Sequence, residues 1–118
     1  LPALRVLASG CIQAASQPEL RFSTASCTQE IDPYTPPVAG ILDTTWENGT
    51  TLRVNGFIKT YCGGADITGN YSLSENDLTF FYTITTTGPV TSCICTRGVE
   101  YRITGIQKRD YRIRLDSV

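Results

Sequence analysis

The sequence predicts an all-β domain, an Ig-like antiparallel β-sandwich of seven to eight strands, with a small β-barrel as the alternative fold. Three observations predict it. Several short segments alternate apolar and polar residues, turn signals recur at roughly every 8–12 residues, and the 118 residues include five cysteines. No segment has a sustained helical period. This length suits one hydrophobic core, so we expect residues 1–118 to form a single domain.

The clearest predicted strand covers residues 78–85, where aromatic and β-branched residues dominate. Its alternate positions are apolar, which predicts that Leu78, Phe80, Tyr82 and Ile84 face the core. Residues 99–103 and 111–115 repeat this alternation and predict two further strands. We expect Tyr111 to be a corner tyrosine that packs just inside the last strand.

Residues 51–62 predict a strand with an irregularity. Apolar and polar residues alternate up to Val54, and the phase then shifts around Asn55 and Gly56. Because glycine inside a strand often marks a β-bulge, we expect one strand that bends at this point.

Residues 28–40 carry several prolines and predict a long surface loop. Ordered loops on rigid sandwiches commonly bind partners, and aromatic side chains anchor such contacts. Tyr34 and Trp46 are therefore candidate ligand contacts in and after this loop. A place in the core is the alternative for Trp46.

Four cysteines are expected to form two disulfide bonds. Residues two apart in a strand point to the same side, so Cys93 and Cys95 each need a separate partner. Cys27 and Cys62 are the natural partners, and we favour Cys62 with one member of the pair, closing a loop of about 30 residues. Disulfides persist in oxidising compartments, which predicts an extracytoplasmic protein that is secreted, periplasmic or displayed on a cell surface.

The fifth cysteine, Cys11, has three open fates. It follows residues 6–10, whose small side chains look like a bacterial lipobox, so lipidation is one. A free thiol and a bond to a second chain are the others, and they predict a monomer or a Cys11-linked dimer. No apolar run approaches the roughly 18 residues of a transmembrane segment.

The composition argues against several kinds of chemistry. A chain without histidine cannot build a Ser-His-Asp or Cys-His catalytic group, and its cysteines lack the spacing of a zinc site. The formal net charge of −1 gives no attraction to nucleic acid. We expect no cofactor, metal or catalytic residue. The alternative is a hydrolase or metal-dependent enzyme that uses the carboxylates of Asp32, Asp43 and Glu47.

A series of elements from residue 51 to the C-terminus carries a family resemblance. These elements are Val54-x-Gly56, Cys62, the apolar run 78–84, Cys93-x-Cys95 and the closing segments 99–101 and 111–113. In this layout the chain resembles small disulfide-containing β-sandwich domains of archaeal and bacterial secreted proteins or lipoproteins of unknown function. Residues 62–64 and 69–73 resemble META/heat-shock lipoprotein domains. Neither resemblance implies a catalytic residue.

We expect a non-enzymatic extracellular module that binds a protein, a glycan or a surface ligand through loops at one end of the sandwich. The competing classes are the carboxylate-dependent enzyme and a disulfide-linked dimeric inhibitor or structural protein.

Overall fold

The computed structural model describes residues 17–29, 38–89 and 93–118, and these ranges contain seven β-strands and no helix. The predicted all-β sandwich is confirmed. In chain order the strands are β1 (Glu19–Gln29), β2 (Ala39–Trp46), β3 (Thr51–Tyr61), β4 (Ala65–Ser74), β5 (Asp77–Thr86), β6 (Ile94–Thr104) and β7 (Arg112–Ser117).

The strands form two sheets that pack face to face. The four-stranded sheet has the order β1-β6-β3-β2 and is antiparallel throughout. The three-stranded sheet has the order β4-β5-β7. The sheets meet along both sides of the sandwich, where β1 contacts β4 and β2 contacts β7. Tyr34, Asp32 and Cys11 lie outside the described residues.

One strand pair differs from the expected antiparallel arrangement. β7 runs parallel to β5, with Leu78 opposite Ile113 and Phe80 opposite Leu115. A parallel pair needs a crossover in place of a hairpin. Here the chain leaves β5, passes through β6 in the other sheet, and returns through residues 105–111 to enter β7 in the same direction as β5.

The return segment before β7 matches the predicted tyrosine corner. Tyr111 directly precedes the strand, and its hydroxyl donates a 2.6 Å hydrogen bond to the backbone carbonyl of Gln107. The Tyr111 ring lies 6.3 Å from the ring of Trp46, centroid to centroid. Ile106 is buried in the same segment, and the carbonyl of Thr50 accepts its backbone N–H. These contacts fix the path by which the chain changes sheets.

The core lies between the sheets and is built from alternate residues of the central strands. The inward-facing sets predicted for residues 78–85 and 99–103 are confirmed, apart from the half-buried Ile84. The Tyr101 ring packs 4.8 Å from the ring of Phe80 and 4.9 Å from that of Phe22. The buried apolar residues are Leu52, Val54, Ile58, Leu78, Phe80, Tyr82, Cys95, Val99, Tyr101, Ile103 and Ile106.

The bulge predicted near Asn55 and Gly56 is placed wrongly by the sequence pattern. β3 is regular, and its even-numbered residues face the core from end to end. The irregularity is in the neighbouring strand β2, whose register shifts between Ile41 and Asp43. Leu42 is the extra residue, and 66% of it is exposed. Gly56 permits this because an added Cβ would lie 2.6 Å from the carbonyl oxygen of Gly40.

Candidate functional site

The expected disulfide bonds are present and lie within one chain. Cys27 bonds to Cys95, with their Cα atoms 5.6 Å apart, and Cys62 bonds to Cys93, with their Cα atoms 5.3 Å apart. The Cys27–Cys95 bond links β1 to β6. The Cys62–Cys93 bond joins the residue that follows β3 to the residue that precedes β6. Two intrachain disulfides are consistent with an oxidising extracytoplasmic environment.

Trp46 occupies the alternative position given for it by the sequence. It is half-buried at the end of β2, where it packs against the core cluster and lies near the Tyr111 ring. Burial of this kind is typical of a structural aromatic residue. The structure therefore places Trp46 mainly in packing contacts.

The two described carboxylates of the enzyme alternative have different partners. Asp43 accepts a 3.0 Å hydrogen bond from the side-chain amide of Asn55. Glu47 pairs with Arg102 at 3.0 Å and lies 3.8 Å from Arg53. Each carboxylate is therefore engaged by a neighbouring polar or cationic group.

The outer face of the four-stranded sheet carries these groups in ordered rows. In one row Arg21, Arg102 and Arg53 lie opposite one another on three neighbouring strands. Like charges placed side by side repel each other unless counter-charges lie between them. Glu47 supplies one carboxylate, and Glu100 supplies a second at 3.6 Å from Arg102. The two carboxylates therefore offset most of the charge of the three arginines.

The next row offers hydrogen-bonding groups. Ser23, Glu100, Asn55 and Asp43 lie opposite one another on the four strands. The row thus combines a hydroxyl group, an amide group and two carboxylates, which together donate and accept hydrogen bonds. Because the Asn55 amide donates to Asp43, these two side chains are oriented in advance of any ligand.

The third row leaves a gap on the same face. Phe57 lies between Gly40 on β2 and Gly98 on β6. Its ring covers Gly40, where an added Cβ would come within 2.9 Å of the ring atom Cε1. On the other side of Phe57, Gly98 has no side chain, and an added Cβ there would lie 3.3 Å from the Cβ atom of Ala25. The result is a stretch of sheet that carries only small groups beside an aromatic ring.

A shallow depression of about 300 Å³ lies at this stretch, and Ala25 is part of its lining. We call it the outer-face depression. Its lining includes Ser23, Asn55 and Glu100 from the polar row, Gly98 from the gap, and Leu42 from the bulge of β2. The volume is at the lower end of the range for small-molecule sites, and the mixture of apolar surface with a few polar groups is typical of them.

Sequence reasoning missed this face because it expected ligand contacts in the loops. The signal was present in part, since glycines occur inside segments that read as strands. Gly98 contributes to the depression because it lies opposite Phe57. That pairing depends on strand register, which is a property of the folded sheet.

In the part of the chain that the structure describes, no helix is long and apolar enough to cross a membrane.

The chain matches no protein-family model, no curated protein and no solved structure, so the resemblance to secreted prokaryotic domains stays a prediction.

Proposed function

We propose that the protein is a non-enzymatic extracytoplasmic binding module that holds a neutral carbohydrate on the outer face of its four-stranded sheet. The observation that carries the proposal is the polar row of Ser23, Glu100, Asn55 and Asp43 beside the Phe57 ring and the gap at Gly98. The ligand site is thus the outer-face depression together with Phe57.

The chemistry of this face suits a sugar ring. A sugar presents hydroxyl groups at its edge and C–H groups on its flat faces. The carboxylate of Glu100 and the paired side chains of Asp43 and Asn55 supply acceptors and donors for the edge. The Phe57 ring supplies an apolar surface for a C–H face. Gly98 leaves the space into which the ring would enter.

The charges of the site favour a neutral ligand over an anionic one. The carboxylates of Asp43 and Glu100 would repel a phosphate, a sulfate or a uronate in the depression. The arginine row next to them has carboxylate partners in Glu47 and Glu100. The chain as a whole carries a formal net charge of −1, which adds no attraction for an anion.

The partners of the two carboxylates favour binding over hydrolysis. Asp43 accepts a hydrogen bond from Asn55, and Glu100 lies 3.6 Å from Arg102, so each carboxylate is already held by a neighbouring group. The depression is also shallow, so a bound sugar would stay open to water.

The proposal includes an extracytoplasmic location. The protein would be secreted, periplasmic or displayed on the cell surface, and lipidation at Cys11 would attach it to a membrane. The two intrachain disulfides support an oxidising compartment, and a ligand outside the cell is consistent with that compartment.

A binding assay on matched variants tests the function. We would screen the full chain against neutral oligosaccharides of glucose, xylose, mannose and N-acetylglucosamine, and measure the best by calorimetry. Phe57→Ala removes the apolar surface, and Gly98→Thr fills the gap. Both should weaken binding about tenfold or more, equivalent to about 1.4 kcal/mol.

The matched control is Phe81→Ala, which removes an aromatic side chain from the outer face of the other sheet. It should leave the affinity unchanged. The proposal is overturned if no neutral oligosaccharide binds, or if Phe81→Ala weakens binding as much as Phe57→Ala. Release of shorter sugars during the assay would instead support the enzyme alternative.

A further inference from the structure

The two disulfide bonds lie against each other. The Sγ atoms of Cys27, Cys62 and Cys95 are all within 4.8 Å of one another. Cys62 belongs to one bond, and Cys27 and Cys95 form the other. The Cys62 sulfur is therefore next to both sulfurs of the Cys27–Cys95 bond.

The two bonds differ in their access to solvent. Cys95 has no exposed surface, whereas Cys27, Cys62 and Cys93 are each half-buried. Thiol–disulfide exchange requires that a thiolate reach a sulfur of the bond it attacks, so access controls which bond reacts first. A dithiol from solvent should therefore reach both sulfurs of the Cys62–Cys93 bond but only Cys27 Sγ of the other bond, which favours attack on the Cys62–Cys93 bond.

The backbone holds the reacting groups in place during such an exchange. The backbone N–H of Cys62 donates a 2.9 Å hydrogen bond to the carbonyl of Cys93. Thr60 lies opposite Cys95 in the ladder between β3 and β6. On the other side, the register of β1 shifts between Thr24 and Cys27, which places Cys27 at an irregular point of the pairing. The sulfurs would remain neighbours after one bond opens, because these ladders fix the strands.

We propose that the cysteine cluster is a thiol–disulfide exchange site in which Cys62 transfers from Cys93 to a sulfur of the Cys27–Cys95 bond. The proposal is independent of carbohydrate binding. It assigns the cluster a reaction with a dithiol, either a small molecule or the dithiol group of an oxidoreductase.

The exchange has two steps. In the first, one thiolate of the dithiol attacks Cys93 Sγ, and Cys62 leaves as a thiolate. The second thiol of the dithiol then displaces Cys93, so the dithiol is oxidised to a disulfide and the protein gains two electrons and two protons.

In the second step the Cys62 thiolate attacks Cys95 Sγ or Cys27 Sγ. A new bond to Cys62 forms, the Cys27–Cys95 bond breaks, and the displaced cysteine leaves as a thiolate that takes up a proton. This step involves no net oxidation or reduction. The pair of electrons received at the Cys62–Cys93 bond is thereby moved to the Cys27–Cys95 pair.

The test uses Cys93→Ser in a Cys11→Ser background, which leaves one thiol, Cys62, beside the Cys27–Cys95 bond. The native protein is kept at roughly pH 8.5, where an ordinary thiol is about half ionised. It is then alkylated and its disulfides are mapped by mass spectrometry. The proposal expects molecules in which Cys62 is bonded to Cys27 or Cys95 and the released partner is alkylated. It is overturned if Cys62 is alkylated in every molecule and the Cys27–Cys95 bond is always intact.

The control combines Cys62→Ser with Cys93→Ser in the same background, which removes the attacking thiol. Its Cys27–Cys95 bond should stay intact, and alkylation of either cysteine in this control would contradict the proposed role of Cys62.

A second measurement covers the case in which Cys93→Ser does not fold. The unsubstituted chain is treated with equimolar dithiothreitol, quenched with acid and alkylated, while circular dichroism checks that the β spectrum is retained. Label on Cys93 together with one of Cys27 and Cys95, in molecules that have gained two electrons, supports the exchange. The proposal is overturned if label is restricted to Cys62 and Cys93, or to Cys27 and Cys95 as direct reduction of that bond would give, with Cys11 counted separately.

Discussion

The hydroxyl group of Tyr101 donates a 2.8 Å hydrogen bond to the backbone carbonyl of Phe81 and so joins the two sheets across the core. Tyr101 belongs to β6, and Phe81 belongs to β5 in the opposite sheet. Only 1% of Tyr101 is exposed. A buried polar group needs a partner because it has given up its hydrogen bonds to water. Tyr101 meets this need with an acceptor from the other sheet.

The first prediction concerns this bond. Tyr101→Phe leaves the Phe81 carbonyl without its tyrosine donor, and we expect the free energy of unfolding to fall by about 1–3 kcal/mol. Urea unfolding measures the change. Tyr61→Phe is the control, because the Tyr61 hydroxyl makes no hydrogen bond within the described residues and its loss should cost under about 0.5 kcal/mol. Equal losses in the two variants would contradict the prediction.

The second prediction concerns alkaline pH. Burial raises the pKa of Tyr101 above its ordinary value of 10.0, with a smaller contribution from the nearby Tyr82. The pKa of Tyr82 is also raised, mainly by burial, against an opposing hydrogen bond from Ser117. The folded protein therefore retains these protons at a pH where the unfolded chain has released them. Stability is fully present below about pH 10 and falls as the pH rises further.

Urea unfolding at a series of pH values above and below 10 measures this loss. In Tyr101→Phe the decline with pH should be shallower, since one of the two raised groups is gone. A decline of the same steepness in both proteins would show that other groups cause it.

The third prediction concerns the close approach of β4 to β1. An added Cβ at Gly69 would overlap the ring of Phe22, so Gly69→Ala should force the two strands apart. Overpacking of this kind costs about 1–3 kcal/mol. Gly49→Ala is the control, because an added Cβ there meets nothing within 4 Å. Adding Phe22→Leu to Gly69→Ala should recover part of the loss, and no recovery would mean that the ring is not the obstacle.

Much of the fold could be predicted because the alternation of apolar and polar residues within a strand indicates which of its side chains face the core. The alternation in residues 78–85 and 99–103 predicted which side chains face the core, and the structure buries nearly all of them. Tyr111 likewise carried a local signal, since a corner tyrosine bonds to backbone only four residues upstream. Each of these predictions depends on neighbours along the chain.

The features that could not be predicted depend on pairing between distant segments. Gly56 looked like a bulge in its own strand, but the extra residue is Leu42 in the strand opposite. The parallel placement of β7 and the alignment of Phe57 with Gly98 have the same origin. Alternation assigns faces, and it leaves open which strand lies next to which. The outer-face depression was therefore out of reach, although every residue that lines it was visible in the sequence.

The fourth prediction compares the two disulfides. The Cys27–Cys95 bond spans 68 residues, and the Cys62–Cys93 bond spans 31. In the chain-entropy model these loops correspond to roughly 4.4 and 3.7 kcal/mol of stabilisation. The difference widens because Cys95 is fully buried and alanine in its place leaves a small cavity. Cys27→Ala with Cys95→Ala should therefore destabilise the protein more than Cys62→Ala with Cys93→Ala.

Urea unfolding of the two double variants under non-reducing conditions measures this difference. The unsubstituted protein treated with excess reductant should be less stable than either variant. If the Cys62–Cys93 pair proved the more stabilising, loop length and burial would not govern these bonds, and strain or residual structure in the unfolded chain would have to account for the order.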